Sequence, residues 1–202
     1  ARRDALTDLR VLPGLLAAFV HLATAHPLTA RLADLAERLL DQPLGAGQRI
    51  LLGTLAYYLL WTGQAERLDR VLVKVDRMCA APDAAPGALL RWYGVSVLIR
   101  ALLGRLDEAR RHAQLALGLA RAAPAAVQAK AHLLAALAAV AQRGAAPARA
   151  HLAQAVRLFD AGHAIDATTY EFQLGILRML EGDWVHADRL MRAAVASGRA
   201  SG

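Results

Sequence analysis

The sequence predicts an all-α fold: a right-handed superhelix of about five antiparallel helix pairs with about 40 residues per repeat. Three observations support this prediction: the residue composition, a small-residue step that recurs at a fixed interval, and turn residues that separate the helical patterns. Hydrophobic residues make up 56% of the 202 residues, but aromatic residues only 5%. Alanine and leucine dominate, and both favour helices over the aromatic-rich and β-branched strands of barrels or sandwiches.

The recurring step places three apolar residues at spacings of four and three, which brings them to one helical face. Ala109, Ala113 and Ala116 show it most clearly, because all three are small. Equivalent steps begin at residues 28, 68, 148 and 187, so successive first members are separated by 40, 41, 39 and 39 residues. We therefore expect the second helix of each pair to approach its neighbours closely, and neighbouring pairs to bury each other's apolar faces.

Turn residues divide each unit into two helices. Gly63, Gly104 and Gly182 stand five residues before the first member of their steps, where glycine accepts the left-handed conformation that ends a helix. Gly144 stands four residues before Ala148, so the sequence predicts a turn that differs by one residue there. Longer breaks rich in proline, glycine or capping residues separate the units at residues 41–48, 81–87, 122–125 and 161–169.

Two segments carry a family resemblance. GRLDEARRHAQLAL, from Gly104 to Leu117, and LEGDWVHADRLMRAAV, from Leu180 to Val195, resemble the tetratricopeptide repeat. The units here have about 40 residues, whereas tetratricopeptide units have about 34. The longer unit resembles the helical-repeat sensor domain of the MalT-type, LuxR-family transcriptional activators, which are signal-transducing ATPases. The resemblance implies that the superhelix binds an inducer or a regulatory protein, and that separate domains bind ATP and DNA.

Those separate domains have no counterpart within the chain. No G-x-x-x-x-G-K-[ST] phosphate loop is present, and no glycine is followed by lysine. The chain starts at ARRD and ends at GRASG, directly after a helical pattern that keeps an apolar face. We therefore expect residues 1–202 to form one helical-repeat domain, taken from a longer protein that carries the ATPase and DNA-binding domains elsewhere.

The residues that carry enzyme chemistry are sparse. The three serines do not lie in a G-x-S-x-G elbow, and most of the five glutamates fall at turns or first turns of helices, where the helix dipole favours them. Of the seven histidines only His21 and His26 are close in sequence, and a spacing of five places them on different faces. We expect no catalytic residues, no metal site and no cofactor.

Charge and cysteine content bound the partners and the compartment. The net charge of +7, almost all of it from arginine, favours acidic or anionic partners. Acidic Asp107 and Glu108 interrupt the basic character of the third unit's second helix, so we expect no direct contact with nucleic acid. The single cysteine, Cys79, excludes a disulfide within the chain, and no apolar run approaches 18 residues. These features favour a cytoplasmic protein without a membrane span.

A ligand groove is expected on the concave face, which the first helix of each pair lines in such repeats. Counting thirteen residues back from each turn gives a set of equivalent positions: Arg10, Ile50, Arg91, Lys130 and Thr169. We predict that Arg91 and Lys130 flank an anionic group, that Tyr57 and Trp61 form an apolar or stacking shelf beside them, and that Phe172 lies on the same face. In the alternative interpretation Tyr57 and Trp61 are core residues and the basic side chains are merely solvated.

Two classes of function follow from this groove. The first is a sensor domain of a bacterial transcriptional regulator, which binds a small-molecule inducer or a regulatory protein in its concave face. The second is a free-standing tetratricopeptide-type adaptor that holds an acidic peptide segment. The 40-residue period and the abrupt ends of the chain favour the first class.

Overall fold

Helices account for nearly all of the described chain. The computed structural model describes residues 11–40, 46–80, 86–159 and 167–200, and within these ranges it contains helices and no strand. The prediction of an all-α fold is confirmed. The ten helices are α1 (Leu12–Leu22), α2 (Pro27–Leu39), α3 (Ala46–Trp61), α4 (Ala65–Cys79), α5 (Pro86–Leu102), α6 (Leu106–Ala120), α7 (Ala125–Ala141), α8 (Ala145–Phe159), α9 (Ala167–Leu180) and α10 (Trp184–Ala200).

The chain divides into two compact units, Ala1–Ala80 and Ala81–Gly202. In the first unit α3 packs against α1, α2 and α4. In the second unit α7 packs against α5, α6, α8 and α9, and α9 packs against α10. Within each unit a first helix thus contacts the next first helix and also the second helix of the preceding pair, as stacked helical repeats require. No helix in the described ranges is long and apolar enough to cross a membrane.

The same left-handed turn ends the first helix in four of the five pairs. Gly63, Gly104 and Gly182 have φ values of 69°, 73° and 79°. In the third pair the Gly104 N–H donates to Ala101 O at 3.1 Å, and the Arg105 N–H donates to Arg100 O at 2.8 Å. This is the Schellman pattern, which satisfies carbonyl groups that the helix end would otherwise leave without donors.

The fourth pair has this turn as well, so the predicted one-residue difference at Gly144 is wrong. Arg143 itself takes the left-handed conformation, with φ 58°. Its N–H donates to Val140 O, and the Gly144 N–H donates to Ala139 O at 2.8 Å, as in the other pairs. The turn geometry is therefore kept although the glycine lies one residue later. We call the four left-handed positions, Gly63, Gly104, Arg143 and Gly182, the turn residues.

The alanine step marks the closest packing in the second unit. Ala109, Ala113 and Ala116 are buried, and Ala109 and Ala113 share a cluster with Val97 on α5 and with Ala135 and Ala138 on α7. The corresponding Ala148, Leu152 and Ala155 of α8 pack in a second cluster with α7 and with Leu177 of α9. The alanines of α6 and α8 thus lie buried between helices, and their role in letting second helices approach their neighbours stays a prediction.

In the first pair the buried face of α2 is displaced by one residue from the predicted step. Of the predicted step Leu28, Leu32 and Leu35, the middle residue is buried and the other two are half-buried. Thr29, Ala33 and Ala36 are fully buried. Ala23, which occupies the turn position here, has φ −150° and is therefore not left-handed. The Thr29 hydroxyl donates to Ala23 O at 2.8 Å, which ties the rotated helix to a different kind of turn.

Polar contacts join neighbouring helix pairs within each unit. Arg67 on α4 forms ion pairs with Asp34 and Glu37 on α2, the former at 2.7 Å. In the second unit Arg149 at the start of α8 pairs with Glu181, just after α9. The half-buried carboxylates of Glu37 and Glu181 thus lie between repeats, where they hold adjacent pairs in register.

The turn residues give the first prediction. A non-glycine residue in the left-handed region costs about 1–2 kcal/mol. Glycine avoids this cost but loses more conformational entropy on folding, so the net gain from glycine is smaller. We therefore expect Arg143→Gly to raise the free energy of unfolding by about 0.5–1 kcal/mol, measured by urea denaturation. The reciprocal change, Gly104→Arg, is the matched control and should lower it by about 1 kcal/mol or more. A loss of stability in Arg143→Gly would contradict the strain argument.

The alanine step gives the second prediction. Ala109→Leu and Ala187→Leu add methylene groups at sites that are 0% and 2% exposed, and overpacking of this kind costs about 1–3 kcal/mol. Arg110→Leu, at the adjacent exposed position, should change the free energy of unfolding by less than about 0.5 kcal/mol. Thermal denaturation of the three variants tests the helix register, which is wrong if Ala109→Leu and Arg110→Leu behave alike.

Candidate functional site

Tyr57 and Trp61 form an aromatic pair near the end of α3. Their rings stack with centroids 6.0 Å apart and planes inclined by 28°. Trp61 is 50% exposed, whereas Tyr57 is half-buried and its burial raises the pKa of the phenol. A core tryptophan would be enclosed, so the exposure of Trp61 favours the shelf over the core interpretation. Both residues belong to the first unit.

Arg91 and Lys130 lie on neighbouring first helices of the second unit. Both side chains are exposed, Arg91 on α5 and Lys130 on α7, and these two helices are in contact. A Cβ atom placed on Gly94 would lie 3.7 Å from Leu134 Cδ2, so the helices meet at that point. Each basic residue precedes this meeting point by about one helical turn. We call Arg91 and Lys130 the basic pair.

Apolar side chains continue along the exposed side of the same helices. Six positions before the three turn residues of the second unit lie Leu98, Leu137 and Ile176, which are half-buried. Leu137 and Ile176 also pack against the two core clusters. Two positions before the turn residue, Leu102 and Leu180 are exposed, and Phe172 on α9 is 45% exposed. All of these residues lie on the first helices α5, α7 and α9, and α7 contacts both of the others. We call this set the apolar strip: Leu98, Leu102, Leu137, Phe172, Ile176 and Leu180.

The sequence identified only part of this surface. It pointed to the basic pair and to Phe172, but the leucines of the apolar strip were not selected. A sequence pattern that could have identified them is their constant distance of two or six residues before a turn residue. At six residues before the turn, Leu98, Leu137 and Ile176 follow one another at intervals of 39 residues. Of the other predicted groove positions, Arg10 lies outside the residues that the structure describes. For Ile50 and Thr169 the structure describes the helical backbone but not the side chain.

A buried polar network joins α5 to α6, and no sequence pattern predicted it. Arg100 Nη1 donates to Ser96 Oγ at 2.5 Å, and Ser96 Oγ lies 2.8 Å from His112 Nδ1. Since the serine oxygen accepts from Arg100, its hydrogen is available to donate to the imidazole. The Tyr93 ring meets His112 edge-on, with centroids 5.9 Å apart. Ser96 is fully buried, so this serine–histidine contact fastens two helices together and faces no solvent-filled cleft.

Glu108 completes this network at its solvent side. Arg100 is 3% exposed, and its Nε donates to Glu108 Oε2 at 2.9 Å. The hydrogen bond from Arg100 lowers the pKa of Glu108 below its ordinary value of 4.5, and the charges of Arg100, Arg105 and Arg111 lower it further. The glutamate thus places a carboxylate against a guanidinium that is almost fully buried.

The last helix has a further open surface. A shallow hollow on α10 is lined by Met191, Arg192, Val195 and Ala196. Val195 is exposed, whereas Ala194 is buried and Met191 packs against Gly175 of α9, where an added Cβ would lie 3.1 Å from Met191 Cε. The apolar face that the sequence indicated on this helix is therefore covered on one side by α9 and open on the other.

Within the described ranges, no group of three or more histidine, cysteine, aspartate or glutamate residues is arranged to hold a metal ion. His112 belongs to the buried network, and His186 Nδ1 lies 2.8 Å from Asp183 Oδ1 at the start of α10. His26 accepts from the Leu28 N–H at 3.1 Å and so caps α2. These three histidines have structural contacts in place of a metal.

The Arg100–Glu108 pair gives the third prediction. A lowered folded-state pKa means that the contribution of Glu108 is fully present above about pH 4.5 and is lost as the pH falls through the folded-state pKa. We expect Glu108→Gln to lower the free energy of unfolding at pH 7 by about 1–2 kcal/mol, a figure reduced for the partial exposure of the carboxylate. The difference from the wild type should shrink on acidification to about pH 3.

The neighbouring carboxylate provides the control for this measurement. Asp107 pairs with Arg110, but its side chain is 89% exposed. Asp107→Asn should therefore change the free energy of unfolding by less than about 0.5 kcal/mol at either pH. Equal effects of the two substitutions would show that general charge, and not the buried guanidinium, determines the stability.

Comparison with known proteins gives a fold neighbour and no family. No protein-family description matches the chain, and no curated protein matches it. Among solved structures, the crystal structure of BtubC (BKLC) from P. vanneervenii is similar, with 14% sequence identity and a TM-score of 0.48. The similarity covers 98% of this chain and 93% of that chain. The function proposed below is argued from the residues of this chain alone.

Proposed function

We propose that this chain is a non-catalytic ligand- or protein-binding sensor domain of a cytoplasmic bacterial transcriptional regulator. The observation that carries the binding role is the basic pair, Arg91 and Lys130, exposed on the same helix layer as the apolar strip. The assignment to a regulator rests on the repeat length of about 40 residues, in which the chain resembles the MalT-type, LuxR-family activators. In that arrangement the ATPase and DNA-binding domains lie elsewhere in the full-length protein.

The surface suits a ligand with an anionic end and an apolar body. Arg91 and Lys130 supply charge-assisted hydrogen bonds to a carboxylate or phosphate, and the exposed Leu102, Phe172 and Leu180 offer apolar contact surface. The net charge of +7 adds a long-range attraction for anions. Tyr57 and Trp61 offer a second contact surface in the first unit, where a planar or apolar group stacks on the exposed indole.

A free-standing adaptor for acidic peptide segments is the second candidate. Exposed apolar residues such as Leu102 and Phe172, at 62% and 45%, favour it, because extended apolar surfaces are typical of protein-binding sites. The sequence of the full-length gene distinguishes the two proposals. A phosphate-loop domain upstream and a helix-turn-helix downstream support the sensor, and their absence supports the adaptor.

The basic pair gives the fourth prediction. A thermal-shift screen of phosphorylated and carboxylated metabolites and of acidic peptides identifies a ligand, because a ligand of the folded state raises the melting temperature. Arg91→Ala should then weaken that ligand's binding by roughly tenfold to a hundredfold, the loss of one charge-assisted hydrogen bond. The melting temperature without ligand should stay nearly unchanged, since an exposed charge contributes little to stability.

Arg121→Ala is the matched control, because Arg121 is also exposed but stands at the C-terminal end of α6, outside the first helices. Its affinity should equal that of the wild type. Equal losses in Arg91→Ala and Arg121→Ala would show diffuse electrostatic attraction and would reject the site. Trp61→Ala tests whether Trp61 belongs to a stacking shelf. A large decrease in the free energy of unfolding would show instead that Trp61 is a core residue.

A further inference from the structure

A pair of histidines lies between the two helices of the fourth repeat. His132 is on α7 and His151 is on α8, 19 residues apart in sequence. Their Nδ1 atoms are 3.0 Å apart, and their ring centroids are 5.3 Å apart with planes inclined by 40°. Both histidines are half-buried. The proposed ligand surface does not include them.

The distance between the two nitrogens suits a metal ion. An imidazole nitrogen binds Zn²⁺ at about 2.0–2.1 Å, so two such ligands at angles between right-angled and tetrahedral are separated by about 2.9–3.4 Å. The observed Nδ1–Nδ1 distance of 3.0 Å falls in this range. We propose that His132 and His151 bind a divalent transition-metal ion of the Cu²⁺ or Zn²⁺ class through their Nδ1 atoms, with water completing the coordination.

The chemistry of the pair is consistent with this ion class. Imidazole is a ligand for copper, zinc and nickel, whereas Mg²⁺ and Ca²⁺ require oxygen ligands. In the metal-free pair one Nδ1–H donates to the other Nδ1. For both Nδ1 atoms to bind an ion, the donating ring exchanges its proton with solvent and takes up the tautomer that carries it on Nε2, so both imidazoles stay neutral. The ion lies to one side of the line between the nitrogens, so each ring has to turn about its Cβ–Cγ bond.

The protonation state also favours binding. Burial lowers the pKa of both histidines, and the neighbouring His151 and Arg157 lower the pKa of His132 further. The rings are therefore neutral at neutral pH, as metal ligation requires. Arg157 opposes a bound cation, but its side chain is exposed, and its Nη2 donates to Gln154 Oε1 at 2.6 Å. Removing the Arg157 charge should thus tighten metal binding without touching either ligand.

Calorimetric titration of the whole chain with Zn²⁺ and, separately, with Cu²⁺ at pH 7.5 tests the proposal. We expect one ion per chain, and a loss of affinity of roughly tenfold or more in both His132→Gln and His151→Gln, because each removes one of two protein ligands. Arg157→Gln should raise the affinity. His186→Gln is the matched control, since His186 is an exposed histidine paired with Asp183, and its affinity should equal that of the wild type.

A spectroscopic measurement on the wild-type chain identifies the ligands of bound Cu²⁺ directly, so it does not depend on how the variants fold. Electron paramagnetic resonance of the wild-type chain with one equivalent of Cu²⁺ should show hyperfine splitting from two imidazole nitrogens, and each single variant should show one. A spectrum without nitrogen splitting in the wild type would overturn the proposal. So would an affinity that is unchanged in both ligand variants, or one that falls equally in His186→Gln, since the ion would then be bound elsewhere on the surface.

Discussion

The left-handed turn at the end of the first helix is the constraint on which the rest of each repeat depends. It fixes where the first helix stops and where the second begins, and so it sets which residues of the two helices face each other. In the third pair the turn at Gly104 places Ala109 and Ala113 against Val97, and the small side chains then let α6 approach α5 and α7. The same distance from the turn residue also brings Leu98, Leu137 and Ile176 to equivalent half-buried positions.

Much of the fold was predictable because short-range sequence patterns determine it. The four-three step and the glycines before it depend only on helix geometry and on the conformational freedom of glycine, so the helix pairs follow directly. Arg143 was not predictable, because a non-glycine residue enters the left-handed region only when the surrounding packing requires it. The displaced face of α2 was missed for a similar reason: Ala23 makes a different turn, and the rotation follows from the contact between Thr29 and Ala23.

The candidate sites divide in the same way. Tyr57 and Trp61 are four residues apart on one helix, so their stacking was within reach of the sequence. The contacts of Ser96 with His112 and of His132 with His151 span 16 and 19 residues and join different helices. Such contacts depend on how two helices are rotated relative to each other. The positions of polar residues in an alanine-rich helix do not predict that rotation. They are therefore visible only in three dimensions.

The buried network offsets a weakness of alanine-rich packing. Alanine surfaces are smooth and similar along a helix, so they distinguish poorly between alternative registers, whereas a buried arginine is satisfied in only one arrangement. Arg100, with its partners Ser96 and Glu108, supplies that single arrangement for α5 and α6. The α7–α8 pair packs through alanines, leucines and a valine in its main cluster, and its polar contact is the half-buried histidine pair.

The conformation of Arg143 has a consequence for the motion of this same hairpin. Strain in a native turn is released when the turn opens, so it lowers the cost of local opening without changing the cost at the other turns. Amide hydrogens at the start of α8 should consequently exchange with solvent faster than those at the start of α6, where Gly104 is unstrained. The strained turn thus lies in the hairpin that also holds His132 and His151.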